Sequence, residues 1–198
     1  FNSDKGEKSK NQYDKPSKNS KNEVVSHGYA KIYEKYLYKY KEKKINIMEL
    51  GSFYGNASAA FFFFFKNSKI YSADINPDMY IYKSKRLENF FTDTSSRSSI
   101  ESNIIKKNIE FDIIIEDASH MLKDQIISLF ILFKILKPGG FFIIEELDFP
   151  EKREDMRINQ EFPDLKTILK KINNNENFES KYINQDEKNY FLNNVDFI

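Results

Sequence analysis

Met48-Glu49-Leu50-Gly51-Ser52-Phe53-Tyr54-Gly55-Asn56-Ala57-Ser58 is the stretch on which the fold turns. It continues the run Ile45-Asn46-Ile47, so it reads as the end of a first strand, a glycine-bearing turn, and the opening of a helix rich in small residues. Glycines at 51 and 55 let the backbone pass close to a ligand where a Cβ would collide. A dinucleotide loop wants G-x-G-x-x-G, whereas the spacing here is G-x-x-x-G. Glu49 would repel a pyrophosphate and suits a cationic ligand.

Outward from this turn, strand and helix patterns alternate. Lys69–Ala73 reads as a second strand ending at Asp74, followed by a helix from Pro77 to about Leu87. A short third strand runs from Asn89 to Thr92 and ends at Asp93. Ser98–Lys107 reads as helix and Phe111–Ile115 as a fourth strand. Gln125–Leu136 is an apolar helix stopped by Lys137-Pro138-Gly139-Gly140, and a fifth strand then runs into Glu145. Upstream, Tyr29, Ile32, Tyr33, Tyr36, Leu37 and Tyr40 recur at helical steps within Glu23–Lys43, with the tyrosines read mainly as packing. The Phe61–Phe65 run reads as core packing with some exposed rings. Past Pro150, helices are expected over Pro163–Asn173 and Asp186–Asn193, with Val195–Ile198 starting a strand. The alternation predicts an α/β fold, a doubly wound, Rossmann-like, mostly parallel sheet that stops before its last strands.

The 198 residues suffice for one domain, expected over residues 23–198 behind a flexible polar segment at 1–22. Formal charge is +1, from 31 basic and 30 acidic residues, so no global field invites nucleic acid or an anionic membrane. The lysines that crowd the start come without arginine and read as a solvated tail. Cysteine is absent, which excludes disulfides, thiolate zinc sites and cysteine nucleophiles. No apolar stretch approaches the roughly 20 residues of a membrane span, and nothing resembles a signal peptide. A cytoplasmic location is expected; homo-oligomerisation stays open.

Two further clusters carry chemistry. Asp117-Ala118-Ser119-His120 comes directly after strand four, and Glu145-Glu146 after strand five. Parallel neighbouring strands deliver the residues at their ends to one carboxyl edge, where ligands bind. Three carboxylates and an imidazole on one rim suggest a divalent-metal site with a base beside it. The plainer alternatives are an Asx-turn with a surface histidine and a solvated strand end. Asp74 is placed to accept hydrogen bonds from ribose hydroxyls. Ribose and positive charge without phosphate point to S-adenosylmethionine.

The E-x-G-x-x-x-G loop, Asp74 and the Lys137-Pro138-Gly139-Gly140 turn resemble a class I S-adenosylmethionine-dependent methyltransferase. More narrowly, three stretches resemble the sugar O-methyltransferases of macrolide and rhamnosyl-tetracenomycin biosynthesis. They are Ser3-Asp4-Lys5-Gly6, His27-Gly28-Tyr29 with Tyr33-Glu34, and Asp112 to His120. The resemblance implies a cofactor pocket of Glu49, Gly51, Ser52, Gly55, Asp74, Ile75, Asp93, Thr94, Glu116 and Tyr29. It implies Mg²⁺ on Asp117, Glu145 and Glu146, with Asp117 and His120 catalytic and His120 the general base. Those relatives carry Asp where this chain has Glu146, a difference of one methylene. His27-Gly28-Tyr29 is expected to start a helix that lids the cofactor. The acceptor implied is a hydroxyl of a sugar or glycosylated small molecule. A metal-independent methyltransferase on another acceptor and an inactive cofactor-binding scaffold remain open; an NAD oxidoreductase is disfavoured by the missing glycine.

Overall fold

The computed structural model describes residues 28–198. The polar segment 1–22, the Ser3–Gly6 motif and His27 lie outside them. Five strands, β1 (Asn46–Leu50), β2 (Lys69–Asp74), β3 (Leu87–Phe91), β4 (Phe111–Glu116) and β5 (Leu136–Ile144), form one sheet in the order β3-β2-β1-β4-β5. Every pairing is parallel. Seven α-helices lie among the described residues: α1 (Ala30–Leu37), α2 (Asn56–Phe64), α3 (Arg97–Asn103), α4 (Leu122–Leu132), α5 (Phe149–Lys152), α6 (Leu165–Asn173) and α7 (Gln185–Asn194). The doubly wound expectation is borne out.

Alternation along the strands sorts the core into two layers. Ile47, Ile70, Ile113 and Ile115 pack with Tyr33 and Leu37 of α1, Phe61 of α2 and Phe65 just past its end. Met48, Leu50, Tyr71, Ala73 and Ile114 pack on the opposite face with Ile100 of α3 and Ile127 and Ile131 of α4. Strands covered on both faces must be apolar at nearly every position, which is why β1 and β4 were legible as continuous runs. A third cluster joins Leu122, Ile126 and Phe130 of α4 to Leu165 and Ile168 of α6 and Phe191 of α7. The phenylalanine run is core with exposed rings as expected: Phe61 and Phe65 are buried while Phe63 is 63% exposed.

Three expectations need correcting. The helix from Pro77 to Leu87 is a single 3-10 turn, Pro77–Met79, followed by extended chain and a bridge between Ser84 and Leu87. Tertiary contacts hold that chain open. Ile81 N–H donates to Tyr54 O at 3.3 Å. Arg86 donates to the carbonyls of Phe62, Phe65 and Ser68, each at 3.1 Å, at the end of α2. The Lys137-Pro138-Gly139-Gly140 stretch is not a helix stop; α4 ends at Leu132, one 3-10 turn comes next, and β5 already runs through it. A register irregularity between Phe111 and Ile113, with Gly139 at φ +73°, accommodates the proline and glycines. Val195–Ile198 forms no strand; Val195 packs on the α4–α7 cluster, and the Phe197 ring lies 6.1 Å from Phe141 of β5. No helix among the described residues is long and apolar enough to cross a membrane.

The glycine turn after β1 sets the geometry of everything beyond it. Gly51 has φ +80°, and a Cβ there would stand 2.0 Å from Asp117 O and 2.6 Å from Ala118 Cα. The missing side chain therefore admits the backbone of the D-x-S-H turn. At Gly55, also at φ +80°, the Tyr80 ring occupies the same kind of space, at 2.4 Å. Gly51→Ala combines a left-handed backbone with a backbone clash, so it should cost about 3 kcal/mol or more. Urea denaturation checks this; a loss under about 1 kcal/mol would mean that Asp117 does not press on the turn.

Candidate active site

The carboxyl edge is built by the ladder continuing past the strands. Asp117 N–H donates to Leu50 O at 3.0 Å, and Glu145 N–H donates to Glu116 O at 2.9 Å. The ends of β1, β4 and β5 therefore stay in step. Side-chain alternation sends Glu49 and Glu145 to the face of α1 and α2, since they stand two residues beyond Ile47 and Ile143 of that layer. Asp117 stands two beyond Ile115 in the same way.

Glu49 is buried and accepts a hydrogen bond from Ser58 Oγ of α2. Ser58 Oγ lies 2.7 Å from Ser72 Oγ, which in turn donates to the Tyr80 hydroxyl at 3.2 Å. Asp74 accepts from Phe53 N–H at 2.7 Å and Asn76 N–H at 2.8 Å, one on each oxygen, so it fastens the glycine turn to the end of β2. Gly51 and Ser52 donate to Ala73 O at 2.8 and 3.3 Å, and the buried Ser52 hydroxyl has no hydrogen-bond partner among the described residues. Ile75 is exposed next to this turn. After β3, Asp93 accepts from the amide and hydroxyl of Ser95 at 2.9 and 2.7 Å, and Thr94 is buried.

His120 and Asp117 come together: Nε2 lies 3.7 Å from Asp117 Oδ1. The turn carrying them is braced by Ser119, which donates to Asp124 at 2.6 Å and accepts from Met121 N–H at 3.2 Å. His120 sits at φ +57°, a left-handed backbone conformation. The Phe149 ring at the start of α5 stands edge-on to it, with centroids 5.2 Å apart.

Glu145 and Glu146 are met by phenols of α1 and its N-terminal edge. Tyr33 donates to Glu145 Oε1, and Tyr29, one helical turn earlier, donates to Glu146 Oε1 at 3.0 Å. Burial, then the nearby Glu145, holds the Tyr33 phenol far above its ordinary value, with Asp117 and Glu49 adding to the effect. Burial and Glu146 raise Tyr29 as well. Both phenols are thus protonated donors at neutral pH. Glu146 has φ +53°, and its carbonyl accepts from Gln125 Nε2 of α4 at 3.2 Å. Among the described residues, no three carboxylate or imidazole groups converge as a ready ligand set for one cation.

Glu116 takes the other parity and points to the opposite face, that of α4. It is fully buried, and among the described residues neither oxygen has a hydrogen bond of good geometry. Burial, helped by Asp117, pushes its carboxyl up to about 8, which the Ala118 amide offsets only in part. Sequence reasoning missed Tyr33, Ser58 and Phe149. Tyr33 carried two signals, its four-residue offset from Tyr29 and its place in the family-like Tyr33-Glu34 pair, but that spacing also marks a core-facing stripe.

No protein-family model matches the chain. It is 23% identical over 128 residues to the 8-demethyl-8-alpha-L-rhamnosyl tetracenomycin-C 2'-O-methyltransferase of Streptomyces olivaceus, covering 61% of this chain and 33% of that one. A demethylmacrocin O-methyltransferase of Streptomyces fradiae matches at 23% identity over the same share of this chain and 32% of its own. The MycE methyltransferase of mycinamycin biosynthesis, solved with Mg, SAH and mycinamycin VI, superposes with a TM-score of 0.65 at 22% identity. That superposition covers 75% of this chain and 40% of MycE. The chain has the class I methyltransferase fold. It spans about a third of the curated relatives it matches, 33% and 32%. Within this fold, the β1 turn, Asp74 and the Asp117–His120 turn occupy one sheet edge.

Glu116 supplies a pH test. Its folded value of about 8 lies above the ordinary 4.5, so the folded chain keeps a proton that the unfolded chain releases. Stability contributed this way is complete below pH 4.5 and is lost as pH rises through 8. In EDTA, Glu116→Gln should flatten that decline and add on the order of a few kcal/mol at alkaline pH. Thermal melts across the window decide it; an unchanged slope would mean that Glu116 is not the protonated group.

Proposed function

We propose that this chain carries an S-adenosylmethionine-dependent O-methyltransferase centre that methylates a hydroxyl of a sugar or glycosylated small molecule. The observation that carries this reading is the Asp117–His120 pair on the same edge as the β1 glycine turn. Glu49 and Asp74 frame the place for a cationic, ribose-bearing cofactor, with Gly51, Ser52, Gly55, Ile75, Asp93, Thr94 and Tyr29 around it. Glu116, at the end of β4, belongs to this set as well. A cytoplasmic small-molecule enzyme without nucleic-acid or membrane partners fits the near-neutral charge.

In this reading Asp117 orients His120 and stabilises the imidazolium as His120 takes the proton from the acceptor hydroxyl. The phenyl ring of Phe149 keeps water from one side of the base. The methyl group passes from the sulfonium to the acceptor oxygen as the sulfur regains its electron pair. Mg²⁺ on Asp117, Glu145 and Glu146 would lower the hydroxyl pKa when bound. The donor chemistry suits Mg²⁺, being all oxygen at adjacent strand ends, and Tyr33 and Tyr29 each engage one oxygen of Glu145 and Glu146. That engagement favours a second reading, metal-independent transfer to another small-molecule acceptor.

Calorimetry should show S-adenosylhomocysteine binding and no NAD binding. A methyl-transfer screen over glycosides and nucleotide sugars, with Mg²⁺ or EDTA, separates the two readings. His120→Ala should lower turnover by about 100-fold or more with cofactor affinity unchanged. Full turnover in that variant removes His120 as the base.

A further inference from the structure

The chain between β2 and β3 lies across the start of α2 as a strap. The 3-10 turn Pro77–Met79 closes with Tyr80 N–H donating to Pro77 O at 3.2 Å, and Tyr80 leaves it extended, at φ −71° and ψ 118°. Three successive residues then meet the stretch from Tyr54 to Asn56. The Tyr80 ring fills the space that a Cβ on Gly55 would need, at 2.4 Å. Ile81 N–H donates to Tyr54 O at 3.3 Å, and the Tyr82 hydroxyl donates to Asn56 Oδ1 at 2.9 Å. Alternation turns Tyr80 and Tyr82 inward and leaves Ile81 63% exposed. Tyr80 is buried, and its hydroxyl lies 3.2 Å from Ser72 Oγ of β2, itself 2.7 Å from Ser58 Oγ of α2. The ring is thus latched to β2 and, through it, to α2.

A dinucleotide fold seats its pyrophosphate in this place, against the glycine turn and the first amides of the helix after β1. Here Gly55, at φ +80°, is the N-cap of that helix, and Tyr80 stands over it. We propose that Tyr80 is a specificity-determining residue whose ring occupies the diphosphate position at the start of α2, so that the pocket takes an adenosine bearing a 5′ thioether or sulfonium and rejects one bearing a 5′ diphosphate. This rests on the S-adenosylmethionine reading of the edge and goes beyond it, since phosphate is kept out by a filled space and not by the charge of Glu49 alone. The ring offers a phosphate oxygen no donor along its face, where its own quadrupole is negative. A diphosphate could reach the helix only by displacing the ring. That breaks the Ser72 contact and returns buried aromatic surface to water.

Calorimetry of the full chain with S-adenosylhomocysteine, ADP and adenosine tests this, because the first two share adenosine and part company at C5′. Wild type should bind S-adenosylhomocysteine and hold ADP no more tightly than adenosine. Tyr80→Ala should shift the ratio of ADP to S-adenosylhomocysteine affinity about tenfold toward ADP, the scale on which a helix N-terminus acts on an anion. Adenosine affinity should stay the same. Tyr80→Phe keeps the ring and should leave the ratio as in wild type. Should Tyr80→Ala fail to fold, Tyr80→Leu keeps part of the apolar fill and should shift the ratio less, in the same direction. An unshifted ratio in the smaller side chains, or an equal shift in Tyr80→Phe, overturns the role of the ring, while S-adenosylhomocysteine binding by wild type leaves the cofactor reading standing. Wild type that binds ADP as tightly as S-adenosylhomocysteine, or binds neither, overturns the cofactor reading and the proposal with it.

Discussion

The end of β4 rests directly on the end of β1, and a hydrogen atom at Gly51 is what makes room for it. Any Cβ at 51 would meet the Asp117 carbonyl. With that contact made, Asp117 N–H reaches Leu50 O and the parallel ladder runs one residue beyond the strands. The next strand repeats the step, with Glu145 N–H on Glu116 O. A period-two backbone carried past its formal end is why acids far apart in sequence share an edge. The glycine is thus first a condition on protein packing, and its service to a ligand derives from that.

The strands were legible because burial on both faces forces unbroken apolar runs, and Phe111–Ile115 or Met48–Leu50 can be little else. The site edge was legible for the same reason, since it lies where such runs stop. What stayed hidden depends on contacts between distant segments. Pro77 to Leu87 has helix-compatible residues, yet Tyr80 fills the space over Gly55 and Arg86 reaches the last carbonyls of α2. Those contacts outweigh a weak local preference. The opposite orientation of Glu116 could have been read from strand parity, because it stands next to Asp117 and so must face the other way. Tyr33 was marked by the family-like Tyr33-Glu34 pair yet read as packing, since a residue that packs in the core with its ring and bonds a carboxylate with its hydroxyl shows its packing signature first.

The acids of this edge are made tolerable in two different ways. Glu49 receives the Ser58 hydroxyl, and Glu145 receives the Tyr33 hydroxyl. Glu116, with no such donor among the described residues, keeps a proton instead. The choice of hydroxyls matters electrostatically. A hydroxyl satisfies an acceptor without cancelling its charge, whereas a lysine or arginine in the same place would neutralise it. The helix bearing Tyr33, with Tyr29 at its entrance, lies on the same side of the sheet as Glu145, so whatever moves α1 alters the donors to the acidic pair.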